Sequence, residues 1–195
     1  MKGLIFILLF TAIVLPYVSY NFDKPLTDRQ SEVLVMLSDI AFTKAVIVFL
    51  LNWVTGNYSQ VDKLWSIMPV AYAWTIAYQG GFSERQILMA ALVTIWGLRL
   101  TFNFARKGGY TWPPWAGEED YRWAVLRKNP IFGNPIAWFF FNLIFISFYQ
   151  SYLIMSFTLP MLLTVSSEPT PLGLLDYLGA ALVIAFITFE TVADE

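Results

Sequence analysis

Long apolar stretches recur along the chain and alternate with short segments rich in glycine, proline and charged residues. An α-helix needs about 20 apolar residues to cross the hydrocarbon core of a bilayer. Inside that core the backbone must satisfy its own hydrogen bonds, which restricts such stretches to helices. The sequence therefore predicts an all-α fold, a polytopic transmembrane helical bundle of about six spans, with residues 1–195 forming a single membrane domain. The predicted spans are residues 3–20, 40–54, 64–78, 86–104, 136–163 and 172–192.

The composition agrees with a membrane location and excludes several kinds of chemistry. Of the 195 residues, 57% are hydrophobic and only 13% are charged, which is too apolar for an ordinary soluble domain. The charged residues form no basic patch of the kind that binds nucleic acid, so we expect membrane lipid and a lipid-like small-molecule substrate as partners. The absence of cysteine and histidine excludes disulfides, thiol nucleophiles, imidazole bases and the usual zinc sites. No metal site is predicted, and redox chemistry would require a bound cofactor.

Several features of the apolar stretches bear on how the helices run. Residues 3–20 follow one basic residue, as in a signal peptide, but no small-residue cleavage site follows, which favours a retained span. Residues 21–39 are mixed in charge and are predicted to form a loop, partly at the interface. Lys44 falls one turn after the start of the second span, where it would snorkel to the headgroups. Pro69 predicts a kink, and the long fifth span must tilt, kink at Pro160 or project.

The positive charges are distributed unequally between the two sides of the predicted bundle. Positive residues in short loops accumulate on the cytoplasmic side of membrane proteins. The richer side is therefore predicted to be cytoplasmic, which places both chain ends in the cytosol. The poorer side carries Lys24, Arg29 and Arg85, and the richer side carries Lys2, Lys63, Arg106, Lys107, Arg122, Arg127 and Lys128.

Three polar residues share one face where the fourth span leaves the membrane. Arg99, Asn103 and Arg106 are spaced by four and three residues, which aligns them on a helix. An arginine inside a span needs a polar cavity, a counter-ion or the interface, so Arg99 either snorkels or pairs with a buried partner such as a cofactor phosphate. Glu190 and Asp194 share one face at the end of the last span. They could bind a ribose hydroxyl or pair with Arg99 or Arg106.

A second polar set precedes the third span and recurs in the longest loop. Asp62 and Ser66 are four residues apart, with Trp65 beside them. An acid in this position is also favoured by the dipole of a helix N-terminus, so a purely structural role stays open. Residues 118–122 form a dense charge cluster that could simply be solvated. Asn142, Tyr149, Gln150 and Ser156 in the fifth span are expected to form hydrogen bonds between helices. An apolar, aromatic-lined cavity in this span would suit a lipid-like substrate.

Several of these strings occur in an order that resembles the DUF1295 family. They are the Asp62, Trp65, Ser66, Pro69 pattern, the WGLRL string ending at Leu100, the EEDYRW string and the terminal FETVADE. The family is related to the steroid 5-alpha-reductases and, more remotely, to isoprenylcysteine methyltransferases and sterol reductases. The resemblance covers the chain from about Val61 onward.

The resemblance implies NADPH-dependent reduction of a carbon–carbon double bond conjugated to a carbonyl, in a lipid-soluble substrate. The residues that would lie at the cofactor are Arg99, Asn103, Arg106, Glu190 and Asp194. The family-signature residues, for which no chemical role is assigned, are Asp62, Trp65, Ser66, Glu119, Asp120 and Arg122. Catalytic residues are left unassigned.

Two departures from the family pattern modify this expectation. The steroid reductases carry a Gln-Glu pair before a Leu-Pro in an early span, whereas this chain has Ser66, Ile67, Met68 and Pro69. Relatives also continue through an Arg-His-Pro-Asn-Tyr type segment, and this chain contains no histidine. We therefore expect a truncated, reductase-like chain that is inactive alone. The alternative is a non-catalytic integral membrane protein that binds lipid or a membrane partner.

Overall fold

The computed structural model describes residues 25–165 and 170–194, together with the single residues 10, 14, 17 and 18. Over these residues the chain is helical and has no β-strand, which confirms the all-α prediction. The helices are α1 (Asp28–Thr55), α2 (Gln60–Lys63), α3 (Ile67–Gln79), α4 (Glu84–Arg106), α5 (Tyr121–Arg127), α6 (Pro135–Phe141), a π-helix (Asn142–Tyr149), α7 (Gln150–Ser156), α8 (Leu159–Leu162) and α9 (Leu174–Ala193).

Four helical segments of the described chain are long and apolar enough to cross a membrane. They are Asp28–Thr55, Glu84–Arg106, Pro135–Ser156 and Leu174–Ala193. Helix α3 has 13 residues and is therefore about 20 Å long, short of a bilayer core. The predicted span at residues 3–20 lies almost entirely outside the described residues. These helices are those of an integral membrane protein, and the prediction of about six spans is compatible with them.

Helix α1 begins well before the second predicted span, so the predicted loop at residues 21–39 is wrong over most of its length. Thr27 caps the helix in a reciprocal capping box with Gln30, and Gly56 ends it in the left-handed conformation. Val33 and Leu37, four residues apart, turn into the core while the charged residues of the same turns face outward. The charged residues that suggested a loop therefore lie on the outer face of α1.

Helices α3 and α4 form an antiparallel pair that is held together at close range. Pro69 lies in the first turn of α3, where a backbone N–H has no partner within the helix, so the proline breaks no hydrogen bond. The sequence predicted a kink at Pro69, but the helix starts there. Gly97 of α4 faces the turn before α3. A Cβ atom there would lie 2.8 Å from the carbonyl oxygen of Ser66 and 2.6 Å from Val70 Cγ2, closer than packing allows.

The fifth predicted span is a composite helix with a π-helical centre. The wider turn of the π-helix stacks Phe145 on Phe141 and Tyr149 on Phe145, with ring centroids 5.0 and 5.2 Å apart. Asn142 opens this segment and its amide bonds the buried Asn52 amide of α1 at 2.8 Å. The regular helix ends at Ser156, and Pro160 lies in the separate α8 turn. The helix therefore ends before Pro160 and is shorter than the predicted span, which extended to residue 163.

Helix α9 lies at the periphery and is attached to α4 by ion pairs near both of its ends. At its start, Asp176 receives two hydrogen bonds from Arg85, at 2.7 and 2.9 Å. Near its end, Glu190 and Asp194 pair with Arg99. Most apolar side chains of α9 are exposed in the described structure, as expected of a helix that contacts lipid.

The two ends of the bundle differ in their polar content. The loop end, defined by residues 107–120, carries the contacts of Lys63, Arg99 and Arg106. The opposite end carries Arg29 and Arg85. Among the described residues, Lys63 and Arg106, assigned to one side from the sequence, therefore lie at one end, and Arg29 and Arg85, assigned to the other side, lie at the opposite end. Which end faces the cytoplasm stays a prediction.

Candidate functional site

A cavity of about 580 Å³ opens at the loop end, between α4, α5 and the composite helix. We call it the α4–α5 cavity. Its walls are mainly aromatic and aliphatic, and one edge carries charged side chains. The lining residues are Asp62, Trp65, Ser66, Leu100, Phe104, Asp120, Arg122, Trp123, Leu126, Phe145, Tyr149, Gln150 and Leu153. An apolar pocket with a few convergent polar groups is the usual form of a small-molecule site.

Five of the six signature residues named from the sequence line this cavity. Asp62, Trp65 and Ser66 come from the segment that leads into α3, and Asp120 and Arg122 come from the start of α5. The structure thus joins two sequence strings almost sixty residues apart into one site. From the sequence alone, each of these two strings could also have had a purely structural role.

The sixth signature residue, Glu119, supports the cavity from outside. Its carboxylate accepts a hydrogen bond from the backbone N–H of Tyr58 at 2.9 Å and also pairs with Arg127. The Arg127 guanidinium lies over the rings of Tyr58 and Trp138, 5.0 and 5.2 Å from their centroids. These contacts fix the base of α5 against the segment that follows α1 and against α6.

The charged edge of the cavity contains one engaged carboxylate and one partly free carboxylate. Arg122 bonds both carboxylate oxygens of Asp120, through Nε at 2.8 Å and Nη2 at 2.9 Å. These hydrogen bonds lower the pKa of Asp120 and raise that of Arg122. Asp62 Oδ1 lies 3.9 Å from Arg122, at the limit of an ion pair.

Asp62 is the more unusual of the two acids. Its side chain is only 14% exposed, and its Oδ2 atom is buried without a hydrogen-bond partner among the described residues. Burial raises the pKa of Asp62, and the neighbouring Ser59 and Arg122 oppose this rise only in part. A carboxyl group with a raised pKa and an unused oxygen can donate or accept a proton within the cavity.

Hydrogen bonds fix the segment that carries Asp62 and Ser66. The hydroxyls of Ser66 and Thr101 are 2.6 Å apart, which joins this segment to α4. The Tyr110 hydroxyl donates to the carbonyl oxygen of Lys63 at 2.6 Å, and burial raises the pKa of Tyr110. The cavity edge is therefore held between α4 and the loop.

The loop itself is bound to the bundle through its backbone. The Lys63 ammonium donates to the carbonyl oxygens of Pro114, at 3.0 Å, and Ala116. Gln60 donates to the carbonyl of Trp115 at 2.8 Å. Of the charge cluster at residues 118–122, Asp120 and Arg122 line the cavity, and the Arg122 side chain is 56% exposed.

The five residues predicted to bind the cofactor also come together, and we call them the Arg99 cluster. Arg99 Nη1 donates to Asp194 Oδ2 at 2.7 Å, and Nη2 donates to Glu190 Oε2 at 2.5 Å. Arg106 Nε donates to Asn103 Oδ1 at 3.0 Å, and its Nη2 donates to the backbone carbonyl of Asp194 at 2.7 Å. The ion pairing that the sequence left open for both carboxylates is present. Their role in binding a cofactor stays a prediction.

The cluster and the cavity occupy neighbouring faces of α4. Arg99 and Asn103 lie on the face toward α9, whereas Leu100 and Phe104 line the cavity. Consecutive residues of an α-helix are turned by about 100°, so the two sets of side chains lie about 100° apart around the axis of α4. A molecule that reached from the cluster to the cavity would cross only one helix face.

Some cavity residues were missed as site residues by the sequence analysis. From the sequence, Phe104, Trp123 and Phe145 were treated only as apolar positions, and Tyr149 and Gln150 were expected to form hydrogen bonds between helices. The π-helical turn that brings Phe145 and Tyr149 to the cavity has no signature in the sequence. In the part of the chain that the structure describes, no group of three or more acidic side chains is arranged to hold a metal ion.

Comparisons with known proteins identify one family and one curated relative for this chain. Residues 48–195 match the family model described as a protein of unknown function, DUF1295. An uncharacterized protein of Schizosaccharomyces pombe is 36% identical over 146 residues, which are 72% of this chain and 40% of that protein. The chain therefore spans about two fifths of the length of this relative. No solved structure matches the chain.

Proposed function

Since the chain belongs to the DUF1295 family, we propose that it forms part of a membrane-embedded, NADPH-dependent reductase-like protein that acts on a lipid-soluble enone or a related double bond. The observation that supports this most is the convergence of five signature residues on the α4–α5 cavity. A site that combines aromatic walls with a charged edge suits a substrate that has an apolar body and one polar group.

The charged edge can supply the electrophilic assistance that enone reduction needs. An acid that hydrogen-bonds the carbonyl oxygen draws electrons from the double bond and favours addition at its far carbon. Asp62 is suited to this role because its pKa is raised by burial and Oδ2 has no partner in the described structure. We assign to Asp62 the polarisation of the substrate carbonyl, which in the steroid reductases is the role of the glutamate in the Gln-Glu pair that this chain lacks.

The Arg99 cluster has a composition that fits the polar part of NADPH. Among the described residues, the carboxylates of Glu190 and Asp194 pair with Arg99 and the neighbouring Lys107, and Arg106 donates to the backbone carbonyl of Asp194. Arg99 Nε is also buried without a partner among the described residues. The guanidinium groups would hold phosphate oxygens, and the carboxylates would accept hydrogen bonds from ribose hydroxyls. When bound, NADPH supplies the hydride.

One observation favours the non-catalytic alternative. Arg99 has both Nη atoms engaged by carboxylates of α9, as a purely structural clamp would have. On this second reading the cluster only fastens α9 to α4, and the cavity binds lipid or a membrane partner without chemistry. The two functions can be distinguished by whether replacing Asp62 lowers the rate of turnover.

The test of the proposed function is NADPH consumption with a lipid enone, measured on membranes that contain the protein. Asp62→Asn keeps the size of the side chain and removes the acid, so we expect kcat to fall at least a hundredfold with a smaller change in KM. Glu118→Gln, in the same loop but exposed, is the matched control and should keep full activity. Equal rates for Asp62→Asn and the parent protein would contradict the role of Asp62, and no consumption by the parent with any lipid enone would favour the non-catalytic function.

A further inference from the structure

Lys44 lies at the centre of the first described span. Between Val33 and Thr55, α1 contains only two ionisable residues, Asp39 and Lys44. Lys44 is eleven residues from either limit of this segment, which places it about 16 Å along the helix from each. The hydrocarbon core is about 30 Å thick, so Lys44 is near its midplane. The sequence placed Lys44 one turn after the start of a span, whereas the helix begins at Asp28 and the Lys44 ammonium is buried.

The Lys44 side chain is buried within the protein. Only 5% of the residue is exposed, and the ammonium nitrogen has no hydrogen-bond partner among the described residues. No carboxylate among the described residues forms an ion pair with it. An unpaired ammonium in an apolar interior is costly, and ionisable residues within spans usually mark a functional site.

A cavity of about 460 Å³ surrounds this side chain. It lies between α1 and the segment from Leu64 to Met68, separate from the residues of the α4–α5 cavity and of the Arg99 cluster. The lining residues, apart from Lys44, are Asp39, Ile40, Thr43, Ile47, Leu64 and Met68. Lys44 is thus a buried cation in a largely apolar cavity of the size of a small-molecule site.

The depth and the charge together restrict what can occupy this cavity. The phosphates of phospholipids lie at the interface, about 16 Å from the level of Lys44. A single-chain lipid with a carboxyl head can lie within the hydrocarbon core and bring its carboxylate to the ammonium. The carboxylate would supply the missing counter-ion, and the apolar walls would contact the chain.

We propose that the Lys44 cavity is a binding site for a membrane-soluble, long-chain carboxylic acid, with Lys44 as the cation that pairs with its head group. The site is independent of the proposed reductase function. Lys44 also precedes residues 48–195, the part of the chain that matches the family model.

The experiment is a titration of the chain in phosphatidylcholine nanodiscs with tritiated oleate and, in parallel, with tritiated oleyl alcohol. Lys44→Met removes the charge and keeps an unbranched side chain. We expect it to weaken oleate binding at least tenfold and to leave the weaker binding of oleyl alcohol unchanged. Lys128→Met, which removes an exposed lysine, is the matched control and should bind oleate as the parent chain does.

Two further measurements keep the proposal testable if Lys44→Met folds poorly. Lys44→Arg retains a cation, so oleate should still bind and raise the thermal unfolding midpoint, as in the parent chain. Added phosphatidic acid should not displace oleate, because its phosphate cannot reach the midplane. Equal oleate affinity in Lys44→Met and the parent, equal loss of oleyl alcohol binding, or displacement by phosphatidic acid would each overturn the proposal.

Discussion

Asp62 shows at the scale of a residue how position changes the chemistry of a common side chain. Near the surface it would be an ordinary ionised acid, but here it is mostly buried beside Trp123 and the Arg122–Asp120 pair. The sequence predicted that it belongs to a signature but not what it contacts, because its neighbours come from a loop almost sixty residues later. By contrast, the grouping of Arg99, Asn103 and Arg106 follows from helical periodicity and was predictable.

The raised pKa of Asp62 predicts a specific dependence of stability on pH. Because burial raises the pKa of Asp62 from 3.8, the folded chain binds its proton more tightly than the unfolded chain. The free energy of unfolding should therefore fall as the pH rises from about 4 through the raised pKa. Asp62→Asn should remove this part of the slope and leave the chain more stable than the parent at neutral pH.

Thermal unfolding in detergent across this pH range measures the effect. Glu118→Gln, which changes an exposed acid, should keep the slope of the parent chain. A slope that is the same in Asp62→Asn and in the parent would mean that Asp62 is not held in a desolvated site.

At the scale of the elements, the contact between α4 and the start of α3 positions the cavity edge. Helix α4 supplies Leu100 and Phe104, and the turn before α3 supplies Ser66. Gly97 sets the distance between them, since a side chain at this position would meet the Ser66 carbonyl. The sequence predicted both helices but not their spacing, which depends on which faces meet. It also missed the π-helix, since π-turns depend on packing more than on residue type.

Gly97→Ala should therefore separate α4 from this turn. The added Cβ would overlap Ser66 O and Val70 Cγ2, and overpacking of this kind costs about 1–3 kcal/mol. Gly179→Ala in α9 is the matched control, because its Cβ would meet no atom within 4 Å. In the control, alanine should leave the unfolding midpoint unchanged or raise it slightly, by its higher helix propensity. Thermal unfolding of the two variants measures the difference, and a midpoint for Gly97→Ala at or above that of Gly179→Ala would contradict the close contact.

At the scale of the molecule, the loop end concentrates both candidate sites. The cavity and the Arg99 cluster occupy adjacent faces of α4, while Lys63 and Gln60 hold the loop over the same end. Hydrophobic periodicity predicted the class of fold and most of the helices, since these depend on local sequence. The convergence of the signature residues was beyond such reasoning, because it depends on long-range packing.

The central claim is that the loop end binds NADPH beside the cavity. Its most direct test is a titration of NADPH against the protein in nanodiscs. Arg99→Ala removes the guanidinium at the centre of the cluster and should weaken binding at least tenfold, about 1.4 kcal/mol. Arg29→Ala removes a partly exposed arginine at the opposite end and should leave the affinity unchanged. Equal NADPH affinity in Arg99→Ala and Arg29→Ala would contradict the account.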